Sequence, residues 1–145
     1  MVNLNVFWTR SQAYYDQASW RGTLKFDGGA LMNQASHYID LLDWLIGPVD
    51  KIHSLMSTSL DIEAEDTAIA LLTFKSGALG IIEATTAVRP KNLEGSISIM
   101  GEDGSVVVGG TSMNKMENWS FKDNRINLLD NTSINENPPD VYGYG

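Results

Sequence analysis

The 145-residue chain contains no cysteine, which excludes disulfides, thiolate catalysis and any zinc site built on cysteine. Positive charge is scarce as well: ten Lys and Arg stand against eighteen Asp and Glu, a formal net charge of -8. An acidic surface gains nothing from a phosphate backbone or an anionic bilayer, so neither nucleic acid nor a membrane is an expected partner. No apolar run approaches the length of a membrane span. The start, Met1-Val2-Asn3-Leu4-Asn5-Val6, lacks a basic region and alternates like a strand, which argues against a secretory signal and for a cytoplasmic protein. No G-x-G-x-x-G occurs, so a dinucleotide fingerprint is missing. The run from Gly104 to Thr111 has P-loop glycines but not the lysine, and its context is a hairpin. The acidic group Asp61, Glu63, Glu65 and Asp66 has neither EF-hand spacing nor a histidine, so it reads as a solvated turn and no metal is expected.

What is present has the size and 43% hydrophobic content of one domain with one core, spanning 1–145. Val2, Leu4, Val6 and Trp8 alternate with mostly polar neighbours over residues 2–9, the pattern of a half-buried strand. Residues 10–28 are irregular but rich in aromatics, the composition of a functional loop. A helix is predicted from about Gly29 to Ile46, stopped by Gly47-Pro48. Strand-type segments follow at 49–59, 66–74, 78–88, 93–100, 104–109 and 113–122, with turns at Ser76-Gly77 and Asp103-Gly104. Residues 123–145 are rich in Asn, Asp and Pro and read as a loop or frayed tail. Together these predict an α+β domain: an open, mainly antiparallel β-sheet with one long helix packed on one face. Both faces of the sheet carry apolar residues, for Ala68, Ala70 and Leu72 interleave with Ile69 and Leu71. The second face therefore predicts a homo-oligomer.

At about 100° per residue, Leu31, Ala35, Tyr38, Leu42 and Leu45 share the apolar side of that helix. Asn33, His37, Asp40 and Trp44 share another side. His37 is one of two histidines and the side chain suited to proton transfer near neutral pH. Asn33 and Asp40 are spaced to orient its ring. Asn33 is a poor helix former, better explained if its amide binds something. Asp43 reads as a solvated carboxylate and His53 as structural. The Gly28-Gly29 pair is either a plain helix start or a set of exposed amides for an anion. Arg21, beside Trp20 in the aromatic loop, and Lys91 are candidates for carboxylate or phosphate capture, whereas Arg10 and Arg89 read as surface charges.

Several motifs now combine: Tyr14-Tyr15, Trp20-Arg21-Gly22-Thr23, Asp27-Gly28-Gly29 and Asn33-Gln34-x-x-His37-x-x-Asp40. With Glu65-Asp66-Thr67-Ala68, Phe74-Lys75-Ser76-Gly77-Ala78 and Lys91-Asn92-Leu93-Glu94-Gly95-Ser96, they resemble the C-terminal domain of the Gfo/Idh/MocA oxidoreductases. The resemblance runs to about residue 122 and resumes at Val141-Tyr142-Gly143-Tyr144-Gly145. Within that family it is nearest to nucleotide-sugar dehydrogenases that oxidise the 3-hydroxyl of UDP-N-acetylglucosaminuronic acid for surface polysaccharides.

The resemblance implies a preceding Rossmann domain that binds NAD and carries a catalytic lysine, and an isolated chain without activity. It gives His37 the catalytic position, with Asn33 where many relatives have aspartate. An amide can position a hydroxyl but cannot accept its proton, so the base is His37 or the lysine. Arg21 and Lys91 would face the uronate or diphosphate of the nucleotide sugar, supported by Tyr14, Tyr15 and Asn92, with Asp40 orienting His37. The alternative is a stand-alone, non-catalytic sugar-binding or assembly module of the same fold. A hydrolase or lyase built on His37 and Asp40 lacks a nucleophile or metal set.

Overall fold

The computed structural model describes residues 1–110 and 113–125. Seven strands form one sheet in the order β2-β3-β4-β1-β5-β6-β7. The strands are β1 (Val2–Phe7), β2 (Val49–Ser57), β3 (Thr67–Phe74), β4 (Leu79–Thr85), β5 (Glu94–Met100), β6 (Gly104–Gly109) and β7 (Lys115–Phe121). Only β1 and β4 run parallel; every other neighbouring pair is antiparallel. The expected sheet class therefore holds, and each expected strand segment contains one of these strands. The 123–145 tail and the Val141–Gly145 segment lie almost wholly outside the described residues.

The register makes the two faces explicit. One cross-sheet row reads Ser54–Ala70–Ile82–Leu4–Ile97, and the next reads His53–Leu71–Ile81–Asn3–Ser98. Period-two alternation sends Ala70, Ile82, Leu4 and Ile97 of the first row, with Val2, Val6, Leu72, Phe74 and Ala84, to the core, while Ser54 on the edge strand stays exposed. Ala30, Ala35, Tyr38 and Leu42 close that core from above. On the opposite face Leu55 is 79%, Ile69 45%, Leu71 53% and Leu79 59% exposed. His53 lies on this open face of the edge strand and is exposed, not packed.

The predicted single helix is two pieces. Ala30–Gln34 is a π-helical turn, closed by the Ala35 N–H donating to Ala30 O at 2.9 Å, and α2 runs Ser36–Ile46. A π turn holds more residues than an α turn, so a constant angular step does not carry across Ala35. Leu31, Ala35, Tyr38 and Leu42 nonetheless pack on one core, as the predicted apolar side required. Leu45, predicted on the apolar side, is exposed. The stop is as expected: Gly47 takes φ 97° and donates to Asp43 O. The irregular 10–28 loop contains one short helix, α1 (Gln12–Tyr15).

Candidate functional site

The loop 10–28, the π turn and the segment 58–66 meet at one end of the sheet, bound together by polar contacts. Asp66 is the anchor. Fully buried, it accepts from Ser59 N–H and Oγ at 2.7 Å each, from Leu60 N–H and from Thr67 Oγ1. Burial alone would push its carboxyl up, but these donors outweigh burial and hold it below the ordinary 3.8. Glu65 stands over the start of the π turn: its backbone carbonyl takes the Ala30 N–H and its Oε1 the Leu31 N–H. Glu63 Oε2 accepts from Leu24 N–H. Glu63, Glu65 and Asp66 thus serve as ties, whereas the Asp61 side chain is exposed, as a solvated turn would leave it.

Glu65 also decides the glycine pair. A Cβ at Gly29 would sit 1.9 Å from its carboxylate oxygen. Of the amides at this helix start, Gly28 N–H donates to Thr23 O, Ala30 N–H to the Glu65 carbonyl and Leu31 N–H to the Glu65 carboxylate.

Asn33 and Gln34 bridge the loop and the sheet. Arg10 Nη2 donates to Gln34 Oε1 at 2.9 Å, Gln34 Nε2 to Asn33 Oδ1 at 3.0 Å, and Asn33 Nδ2 to Asp27 Oδ1. The other Asp27 oxygen accepts from Gly22 N–H. A guanidinium can only donate and a carboxylate only accept, so the two ends fix the direction of both amides. Asn33 does bind something through its amide, as its poor propensity suggested: Asp27 of the same chain.

The remaining predicted residues are placed as follows. His37 is exposed in the first turn of α2, and no hydrogen bond ties it to Asn33 or to Asp40, which is also exposed. Neither orients the ring here. Tyr14 stands edge-on to Tyr15, ring centroids 5.1 Å apart, and packs against the guanidiniums of Arg10 and Arg21. Tyr15 is buried, its hydroxyl 3.1 Å from Thr86 Oγ1, and burial raises it above the ordinary 10. Arg21, Tyr15, Gln12, Asp61, Ile62 and Glu63 help line a cavity of about 420 Å3. Asn92 Oδ1 accepts from Thr9 N–H at 2.7 Å, which pins the 88–93 loop to the end of β1. Lys91 is exposed and unpaired among the described residues, and it does not join Arg21 in lining that cavity.

Sequence reasoning missed Arg10, Gln34 and Asp27. Arg10 was read as a surface charge, yet its guanidinium bonds Thr9 O and Gln34 and packs on Trp8 and Tyr14. Arg89 likewise donates to Thr86 O, Val88 O and Arg10 O. The ties of Arg10 to Gln34 and of Arg89 to Arg10 O cross 24 and 79 positions and leave no local spacing signal; only the aromatic density around Arg10 hinted at them.

The family described as GFO/IDH/MocA C-terminal domain matches residues 1–107. The fold is similar to that of the WlbA dehydrogenase from Bordetella pertussis, solved in complex with NADH and UDP-GlcNAcA. That match has TM-score 0.84 and 51% identity, covering 90% of this chain and 40% of that one. It is also similar to the WlbA dehydrogenase from Chromobacterium violaceum in complex with the same pair, with TM-score 0.82 and 58% identity over 85% of this chain and 36% of that one. Levoglucosan dehydrogenase of Pseudarthrobacter phenanthrenivorans is 22% identical over 88% of this chain and 39% of its own length. The chain thus spans about two fifths of these relatives. It belongs to the GFO/IDH/MocA C-terminal domain family.

Proposed function

From that membership, we propose that the chain is the substrate-binding and oligomerisation part of an NAD-dependent nucleotide-sugar dehydrogenase that oxidises a sugar 3-hydroxyl. The observation that carries this reading is the similarity to two WlbA dehydrogenases at 51% and 58% identity, both solved with NADH and UDP-GlcNAcA. The one glycine-led helix start among the described residues is capped by Glu65. NAD, as hydride acceptor, belongs in this reading to the remaining length of such enzymes.

The chain's own share is to hold the sugar nucleotide and to manage a proton. Oxidation of an alcohol needs its proton removed as the hydride leaves. His37 is exposed, free of internal hydrogen bonds and able to accept it, whereas Asn33 is not. Arg21, with Tyr14, receives the anionic part of the substrate. Tyr15 and Asp40 support the site, Asn92 holds the adjoining loop, and Lys91 adds charge at the rim. The open sheet face, with Leu55, Ile69, Leu71 and Leu79, is the self-association surface. Among the described residues no helix is long and apolar enough to cross a membrane; a cytoplasmic setting is part of the proposal.

Calorimetric titration of the 145-residue chain with UDP-N-acetylglucosaminuronic acid tests the reading. Saturable binding is expected, with no NAD reduction by this chain alone; the absence of binding at millimolar ligand sinks it. Light scattering should show an oligomer that Leu71→Lys dissociates, and a monomer at every concentration removes the assembly role.

A further inference from the structure

Two arginines lean on one phenol ring. Cζ of Arg21 lies 4.0 Å from the Tyr14 centroid and Cζ of Arg10 lies 5.1 Å from it. Trp20 flanks Arg21 at 5.1 Å and Trp8 flanks Arg10 at 5.4 Å. The Nε atoms of these same two arginines are the buried side-chain donors that lack an acceptor among the described residues. Neither guanidinium has a carboxylate within ion-pair distance there, in a chain whose net charge is -8. Arg10 commits two of its five N–H groups, to Thr9 O and Gln34 Oε1, and Arg21 commits none. Asp16, Asp61 and Glu63 share the cavity with Arg21, but Asp16 is bonded to Gln12 and Glu63 to Leu24 N–H.

Like charges gathered on one ring repel, and orphaned buried donors cost stability. Natural chains keep such an arrangement where an anion completes it. Aromatic packing has already fixed the two forks, so little freedom remains to be lost on binding. We infer that Arg10 and Arg21, spaced by Tyr14, form a diphosphate-binding site, each guanidinium serving one phosphoryl group. A lone carboxylate fills one fork; two forks separated by a ring suit an anion whose oxygens sit on two linked centres. The inference deepens the nucleotide-sugar reading and rests on it for the source of the diphosphate. It makes Arg10, read from sequence as a surface charge, the second half of the site, and leaves Lys91 outside it.

The test uses the 145-residue chain with inorganic pyrophosphate as probe, followed through the arginine Nε–H signals in NMR. Both Arg10 and Arg21 signals should shift along one saturable curve, and Arg21→Lys should weaken binding by about tenfold or more because lysine keeps the charge but not the fork. Tyr14→Leu, which removes the shared ring, should weaken it as well and serves if the lysine variant melts early. Unchanged affinity in both variants overturns the proposal, as does glucuronate binding the same pair as tightly as pyrophosphate. If UDP-N-acetylglucosaminuronic acid binds but is indifferent to Arg21→Lys, this inference fails and the functional reading stands. If pyrophosphate binds through the pair and the nucleotide sugar does not bind, the functional reading fails and the site stands.

Discussion

The covered face of the sheet and the loop end that carries the site are held by opposite physics. Under the helix, Leu4, Phe74, Ile82 and Ile97 are buried among apolar neighbours, and their stability is non-directional, set by area removed from water and by packing. At the loop end, Asp66, Glu65, Asp27, Asn33, Gln34 and Arg10 are held by directed bonds between fixed donors and acceptors. The first region tolerates exchange of similar shapes. The second tolerates almost no exchange of polarity, because each bond sets the orientation of the next.

Substitutions separate the two. Phe74→Ala, which opens a cavity under the sheet, should cost about 3–5 kcal/mol, visible as a large drop in the urea midpoint at any pH. Asp66→Ala should cost less, about 1–3 kcal/mol for orphaned donors, and its effect should depend on pH. The folded carboxyl sits below its ordinary 3.8, so its contribution is complete above that range and is lost as pH falls through the folded value. Parent and variant melting curves should therefore converge in strong acid; a constant gap would contradict the role given to the carboxylate.

Asn33→Asp sets a second carboxylate against Asp27 while keeping size and shape. The variant should lose on the order of 1 kcal/mol at neutral pH and regain it in acid, where one proton can be shared between the facing groups. A pH-independent loss would mean that the directed relay does not hold the loop. His37→Ala should be the mildest, within about 0.5 kcal/mol of the parent on unfolding, since the ring is exposed and unbonded. In a complete enzyme containing this chain, the same change should lower turnover by about 10²-fold or more; unchanged turnover refutes its role as base.

The same contrast explains what could be read from the sequence. Alternation at Val2, Leu4 and Val6 and at Ala68, Ala70, Leu72 and Phe74 gave away the core strands because apolar burial writes a local period. Gly47-Pro48 marked the helix end for an equally local reason. The relay from Arg10 to Asp27 leaves no such trace, since its links span 24, 1 and 6 positions and share no period. The helical wheel found the apolar side, Leu31, Ala35, Tyr38 and Leu42, but periodicity could not show the π turn at Ala30–Gln34 or the ties of Leu31 to Glu65 and of Asn33 to Asp27.

That wider turn behaves as a one-residue insertion absorbed without breaking the chain's path. Leu31 within it and Tyr38 beyond it still pack on one core, while Asn33 is tied to Asp27 and His37 stays exposed. A residue placed at position 33 therefore meets Asp27 and Gln34 before it meets anything outside the chain, and its identity alone does not set what it can reach.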